Sequence, residues 1–261
     1  WNSEFMKQTR LKLLNNCVPD SCKKCFEEES KNIKSKRYWE NTVWKDRIDI
    51  NETVNQMNID GTMPVNIPYF DLRLGNLCNL KCIMCSPHDS SAWIKDWKQQ
   101  YPKYKTIELK QDQSWQNIFD YTWYKDSKFL ESMREQAHNI KELYFAGGEP
   151  LLIKEHKTFL LEIIRRGYAD KISLRYNTNG VLVNDEIIDI WSKFRKVKVG
   201  FSLDGTGDRL HYIRYPTDWE TIQTNFQKAS VKEKLHQDID LSLQIIRDHL
   251  DSTVEAIICD N

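Results

Sequence analysis

A chain of 261 residues with 40% apolar content is long enough to bury the core of one large α/β domain with a small appendage, which argues against general disorder. Lysine plus arginine equals aspartate plus glutamate, 38 each, so the charge balance gives no reason to expect nucleic acid or an anionic membrane as partner. No apolar run is long enough to span a bilayer and no secretory signal opens the chain, so the expected location is the cytoplasm.

Six of the seven cysteines fall in two tight groups, Cys17/Cys22/Cys25 and Cys78/Cys82/Cys85, with Cys259 alone. Spacing this close favours metal centres in a reducing compartment over cross-links. Because the chain starts at Trp1 and ends at Asn261 without a domain stop signal, it is expected to be part of something longer.

In chain order, Phe5, Met6, Leu11 and Leu14 recur at helical spacing before Asn15–Asn16 and Pro19 break the pattern, so a short helix should feed a loop carrying Cys17, Cys22 and Cys25. Residues 30–66 are polar, with basic residues interleaved with Tyr38, Trp39 and Trp44. Glu40, Asp46 and Asp49 dilute that basic character, which makes a connecting helix the better reading than a nucleic-acid stripe. Gly61, Pro64 and Pro68 mark a linker, giving a first segment 1–66 and a main domain 67–261.

Phe70, Leu72 and Leu74 alternate as a strand that delivers the chain to Cys78, Cys82 and Cys85. Asp89 or Ser90 then caps a helix with Ala92, Trp93 and Trp97. Residues 101–138 read as an insertion ending in a short helix; their aromatics suit local packing, or alternatively a substrate wall. Beyond it the pattern becomes regular: strand Leu143–Ala146, turn Gly147–Pro150, a helix bearing Ile153, His156, Leu160, Ile163 and Ile164, strand Lys171–Tyr176, turn Asn177–Gly180, helix Glu186–Phe194, a strand through Val197, Val199, Phe201 and Leu203, and another marked by Leu241, Leu243 and Ile245. Strands alternating with helices build a parallel sheet through right-handed crossovers, so the fold class is α/β with five strands in hand.

Three thiolates in a CxxxCxxC run are soft ligands for zinc or an iron–sulfur cluster. They are one short of the four that close a structural zinc site, and His88 is the nearest further donor; a cluster with one open iron needs no fourth. Every other unusual motif also sits where a strand finishes, the face that following loops build in barrel-like sheets. Gly147 and Gly148 allow close backbone approach, and Glu149 could face an ammonium. Asn177, Thr178 and Asn179 offer short polar groups, or simply turn chemistry. Ser202 and Asp204 flank Leu203 and share the face away from the apolar one. No P-loop and no GxSxG elbow is present.

CxxxCxxC after a strand resembles the radical S-adenosylmethionine (SAM) superfamily. The resemblance implies a partial (β/α)6 barrel of the TIM type whose last strand should lie past residue 261. It also implies a 4Fe-4S cluster on Cys78, Cys82 and Cys85, with SAM on the open iron. Gly147, Gly148 and Glu149 look like the family's GGEP motif for the SAM amino group. Asn177, Thr178 and Asn179 would then meet ribose or carboxylate, Ser202 and Asp204 the ribose, Arg214 the SAM carboxylate, and Met84 the adenine. Cys22 and Cys25, with Cys17 in addition, resemble the twitch (half-SPASM) element that carries an auxiliary iron–sulfur cluster, its fourth ligand being Cys259 or lying beyond the chain; half of a zinc ribbon is the other reading. The implied reaction is reductive cleavage of SAM to a 5′-deoxyadenosyl radical that abstracts hydrogen, fed by an external reductant of flavodoxin or ferredoxin type. No catalytic side chains are implied beyond the cluster ligands. A peptide or protein is the first expectation for substrate; nucleotide or cofactor biosynthesis, or a non-enzymatic zinc-binding interaction module, are the alternatives.

Overall fold

A computed structural model describes residues 1–100, 121–235 and 239–245, with side chains for 1–99 and 121–230. It divides into two compact units, Trp1–Asn66 and Ile67–Asn261.

The first unit is helical: α1 (Glu4–Leu14), α2 (Lys23–Ser30), α3 (Lys36–Trp44) and α4 (Ile50–Asn55). Three of them begin as their sequences dictate, with Ser3, Ser35 and Asp49 side chains accepting from first-turn amides. None of the four contains a fully buried residue. Polar and cation–π contacts hold the unit instead. Glu29 pairs with Ser35 and Arg37, Arg37 lies 3.9 Å over the Phe26 ring, and Arg10 donates to Gly61 O at 2.9 Å and Trp1 O at 2.7 Å. The cysteine segment differs from the expected loop. A 3-10 turn, Asp20–Cys22, runs directly into α2, so Cys25 sits in a helix, and the single connecting helix expected downstream is two, α3 and α4.

The second unit is α/β. In chain order it comprises β1 (Tyr69–Arg73), β2 (Lys81–Cys82), α5 (Ile94–Gln100), α6 (Ser127–Glu135), β3 (Glu142–Ala146), α7 (Lys154–Arg165), β4 (Ser173–Thr178), α8 (Asp185–Trp191), β5 (Lys196–Leu203), α9 (Gly207–Ile213), β6 (Arg214–Tyr215), α10 (Trp219–Leu235) and β7 (Ile239–Ile245). The main sheet is parallel throughout in the order β1-β3-β4-β5-β7, with Leu72 opposite Phe145, Phe145 opposite Tyr176 and Tyr176 opposite Val199. Among the described residues the sheet is open, with β1 and β7 at its edges.

Period-two alternation gives the sheet two unlike faces. Leu72, Leu143, Phe145, Leu174, Tyr176, Val197, Val199 and Phe201 are buried in one core with Leu160 and Ile163 of α7, Ile187, Ile188 and Trp191 of α8, and Ile222 and Ala229 of α10. Each fully buried large side chain contributes about 1.5–3 kcal/mol. The opposite face carries Asp71, Arg73, Tyr144, Ala146, Arg175, Asn177, Lys198, Gly200 and Ser202, and its polar strand ends position the site. No described helix is long and apolar enough to cross a membrane.

Three local differences from the sequence reading matter. Asn177 and Thr178 close β4 instead of forming a turn, because both still pair with β5, opposite Gly200 and Phe201. The helix after the cysteine loop starts as a 3-10 turn, Ser91–Trp93, capped by Ser90. A two-residue antiparallel ribbon, β2 with β6, sets Cys82 opposite Arg214. Most of the insertion expected over 101–138, and Cys259, lie outside the described residues.

Candidate metal centre and cofactor cavity

The cysteine loop is pinned along its whole length. Leu80 is buried at its centre. The Ser90 hydroxyl donates to Leu80 O at 2.6 Å, Asn76 Nδ2 to Pro87 O at 2.7 Å, Ser91 N to Asn76 O at 2.7 Å and Trp93 Nε1 to Cys82 O at 3.0 Å. The pairing of Cys82 with Arg214, extended by Ile83 N donating to Ile213 O at 2.9 Å, ties the loop to the segment after α9.

Gly147 and Gly148 are where the turn after β3 meets this loop. A Cβ on Gly148 would stand 2.4 Å from Leu77 O and 2.6 Å from Asn76 C, and one on Gly147, at φ +120, would stand 2.8 Å from Gly75 O. Gly148 N donates to Gly75 O at 3.1 Å and Glu149 N to Leu77 O at 2.8 Å. The close approach these glycines permit is therefore first of all to the cysteine loop's own backbone.

A cavity of about 570 Å³ opens between this loop and the strand ends. Cys78, Cys82 and Cys85 all line it, together with Gly147, Gly148, Asn177, Thr178, Asn179, Ser202 and Arg214. Glu149 and Asp204 are placed differently. The Glu149 carboxylate is buried and accepts from Thr178 Oγ1 at 2.8 Å, Asn179 N at 2.8 Å and Leu151 N at 3.1 Å, bracing the β3 turn against the end of β4. Burial raises its pKa, and those three donors oppose the shift. Asp204 is 1% exposed and faces Arg214, whose Nε lies 2.6 Å from Oδ2. Arg214 is thus held in the interior, and its second contact is with Cys82 Sγ, 3.7 Å from Nη1. Met84 stands 48% exposed and is not among the residues lining the cavity.

The three thiols differ in environment. The Cys82 thiol is lowered to about 7, first by a hydrogen bond from Cys85 and then by the Arg214 charge, against the cost of burial. Cys85, the donor in that bond, is raised, and burial adds to the effect. Burial also raises Cys78, partly offset by Leu80 N donating to its sulfur at 3.5 Å.

Several lining residues escaped the sequence reading. Arg73 and Tyr144 share the polar face of the sheet, and position on alternating strands was the signal that could have found them. Tyr121 and Trp123 line the cavity, while Tyr124 packs into the core, so the described aromatics of the insertion divide between wall and packing. His88 also lines it, its Nδ1 2.6 Å from the Tyr121 hydroxyl. In the other unit Cys17 is exposed and Cys22 and Cys25 are half-buried, all three as free thiols.

Among the described residues no three Cys, His, Asp or Glu side chains converge tightly enough for one metal ion. A cluster asks for something else, since each thiolate binds a separate iron. Three soft donors on one wall of a cavity, with the close glycine turn and polar strand ends on its other sides, fit an iron–sulfur cluster and a small polar ligand together.

Comparison with known proteins adds a family. The profile of the radical SAM superfamily matches residues 72–233. Among solved structures, native anSMEcpe with bound AdoMet is similar at 22% identity and a TM-score of 0.40, over 67% of this chain and 42% of that one. The same protein with bound AdoMet and Cp18Cys peptide gives 21% identity and 0.40 over the same shares. The chain therefore spans less than half the length of these solved chains. No curated protein matches it.

Proposed function

The chain belongs to the radical SAM superfamily, and on that premise we propose that Cys78, Cys82 and Cys85 hold a 4Fe-4S cluster whose open iron receives SAM in the cavity they line. The observation that carries the reading is that all three cysteines of the CxxxCxxC run face one space together with the strand-end residues Gly147, Gly148, Asn177, Asn179 and Ser202. When bound, the cluster and SAM supply one-electron cleavage of a sulfonium bond and a radical able to abstract hydrogen from carbon.

The protein's own contributions are ligation, orientation and exclusion of water. The hydrogen-bonded loop fixes where the three sulfurs stand. The backbone of Gly147–Gly148 and the Asn177 amide present polar groups to the amino acid and ribose parts of SAM, while Asn179, donating to Asn79 Oδ1 at 2.8 Å and accepting from Val181 N at 3.0 Å, stiffens the rim. Glu149 acts by bracing that rim from within, and Tyr121, Trp123 and Tyr144 wall the cavity.

In the same reading residues 67–261 form the core, a partial (β/α)6 barrel, and residues 1–66 form a twitch-like segment with an auxiliary cluster on Cys22, Cys25 and Cys17. Its substrate is a peptide or protein, its electron comes from an external flavodoxin- or ferredoxin-type reductant, and its free thiols suit the reducing cytoplasm.

Anaerobic reconstitution tests the proposal. A brown protein absorbing near ~400 nm, which releases 5′-deoxyadenosine from SAM on reduction and loses that activity in Cys82→Ala, is the expected outcome. A colourless zinc protein, or a Cys82→Ala variant that still cleaves SAM, overturns it. Unchanged iron per chain in a Cys22→Ala/Cys25→Ala variant removes the auxiliary cluster.

A further inference from the structure

Arg214 and Asp204 form a buried charge pair placed directly against one of the three thiol ligands. The guanidinium reaches Cys82 Sγ with Nη1 at 3.7 Å, while its Nε stands 2.6 Å from Asp204 Oδ2. The arginine side chain is 14% exposed and the aspartate side chain 1%. The contact is one of charge more than of aligned hydrogen bonding: Nε is not aimed along a hydrogen bond, and neither Asp204 oxygen accepts one from the described residues. The backbone enforces the arrangement. Cys82 and Arg214 are opposite one another in the β2–β6 ribbon, so their side chains share one side of it, and Asp204 follows β5 directly behind them.

Burying a guanidinium and a carboxylate costs several kcal/mol per ion before their attraction is counted, so such a pair needs a reason beyond stability. Among the described residues, the guanidinium contact recorded to these three sulfurs is the one from Arg214 to Cys82. An iron–sulfur potential depends on net charge nearby, on hydrogen bonds to sulfur and on solvent exposure. A fixed positive charge at one ligand stabilises the more negative, reduced cluster.

We infer that Arg214, held in place by Asp204, is a positioning residue that sets the reduction potential of the cluster through the Cys82 sulfur, and is not reserved for the carboxylate of SAM. This rests on the assignment of Cys78, Cys82 and Cys85 as cluster ligands. Asp204 acts with the opposite sign: it orients the guanidinium and offsets part of its charge.

EPR-monitored redox titration of the reconstituted protein, without SAM, tests the inference. Arg214→Gln lowers the midpoint, on the order of tenfold in the ratio of reduced to oxidised cluster at the parent midpoint, or about 59 mV for one electron. Asp204→Asn raises the midpoint, and Arg214→Lys, which keeps the charge, stays close to the parent. If Arg214→Gln does not retain a cluster, a raised midpoint in Asp204→Asn beside an unchanged one in Arg214→Lys still decides. A merely structural pair would lower iron content and leave the potential of the remaining clusters unchanged, which overturns the inference. A parent protein that takes up no cluster at these cysteines overturns the ligand assignment itself and is seen before any variant is made.

Discussion

The Thr178 hydroxyl donates to Glu149 Oε1 across 2.8 Å, and the neighbouring Asn179 N–H donates to Oε2 at the same distance, so a single buried carboxylate joins the turn after β3 to the end of β4. Two motifs 30 residues apart in sequence thereby become one rigid rim. Glu149→Gln keeps one acceptor and sets an amide donor against the other N–H. The expected cost is about 1–3 kcal/mol in urea unfolding, the range for a buried group left without its partner. Thr178→Val should cost less, since the carboxylate retains Asn179 and Leu151 as donors.

Gly148→Ala forces a Cβ into the cysteine-loop backbone, 2.4 Å from Leu77 O, where no flexible side chain can yield. A loss of more than about 2 kcal/mol is expected, with reduced iron retention after reconstitution. Gly167→Ala is the control. Gly167 has φ +73 but nothing within 4 Å of its added Cβ, so only the left-handed backbone cost of about 1–2 kcal/mol applies, and iron uptake should not change.

His156 lies in the core beside Phe145, with Nε2 2.7 Å from the Tyr176 hydroxyl, and burial holds its pKa down at about 3. The unfolded imidazole titrates near ~6.5, so between about pH 3 and 6.5 the unfolded chain binds the extra proton. Stability therefore rises with pH across that window, by up to about 1.4 kcal/mol per unit, and levels off above it. Unfolding free energies measured at a series of pH values should show this slope in the parent and not in His156→Gln, relative to one another. Equal slopes in the two proteins would remove His156 as the cause.

Ser90→Ala removes the 2.6 Å hydrogen bond to Leu80 O from a residue that is 1% exposed, and with it the cap on the turn that follows. A cost of about 1–2 kcal/mol is expected. Hydrogen exchange should report it first at the amides of the cysteine loop, because the acceptor left without its donor, Leu80 O, lies at the loop's centre.

The parallel sheet was legible because its strands alternate so regularly: Leu143 and Phe145, Val197, Val199 and Phe201 each announce a face. Cys78, Cys82 and Cys85 were legible as a group because their spacing is itself the signal. What stayed hidden depends on distant partners. The β2–β6 ribbon is two residues long on each side, too short for any period, and it decides where Arg214 points. Glu149 and Asp204 read as ligand-facing acids because nothing in their neighbours says that each will be buried against another part of the chain. Asn177 is a turn-forming residue by type, yet sheet pairing with Gly200 overrides that preference, while β-branched Thr178 suits the strand it closes opposite Phe201. The helix Trp219–Leu235 was missed because its buried positions include Asn225 as well as Ile222 and Ala229, which blunts the apolar stripe.

None of the four helices of Trp1–Asn66 contains a fully buried residue. If its thiols carry the auxiliary cluster proposed above, a segment so lean in hydrophobic free energy owes part of its shape to that metal, much as small metal-dependent modules do. On that reading a protease should clip this segment first under iron starvation, so that a trimmed band on a gel becomes a simple gauge of metal supply.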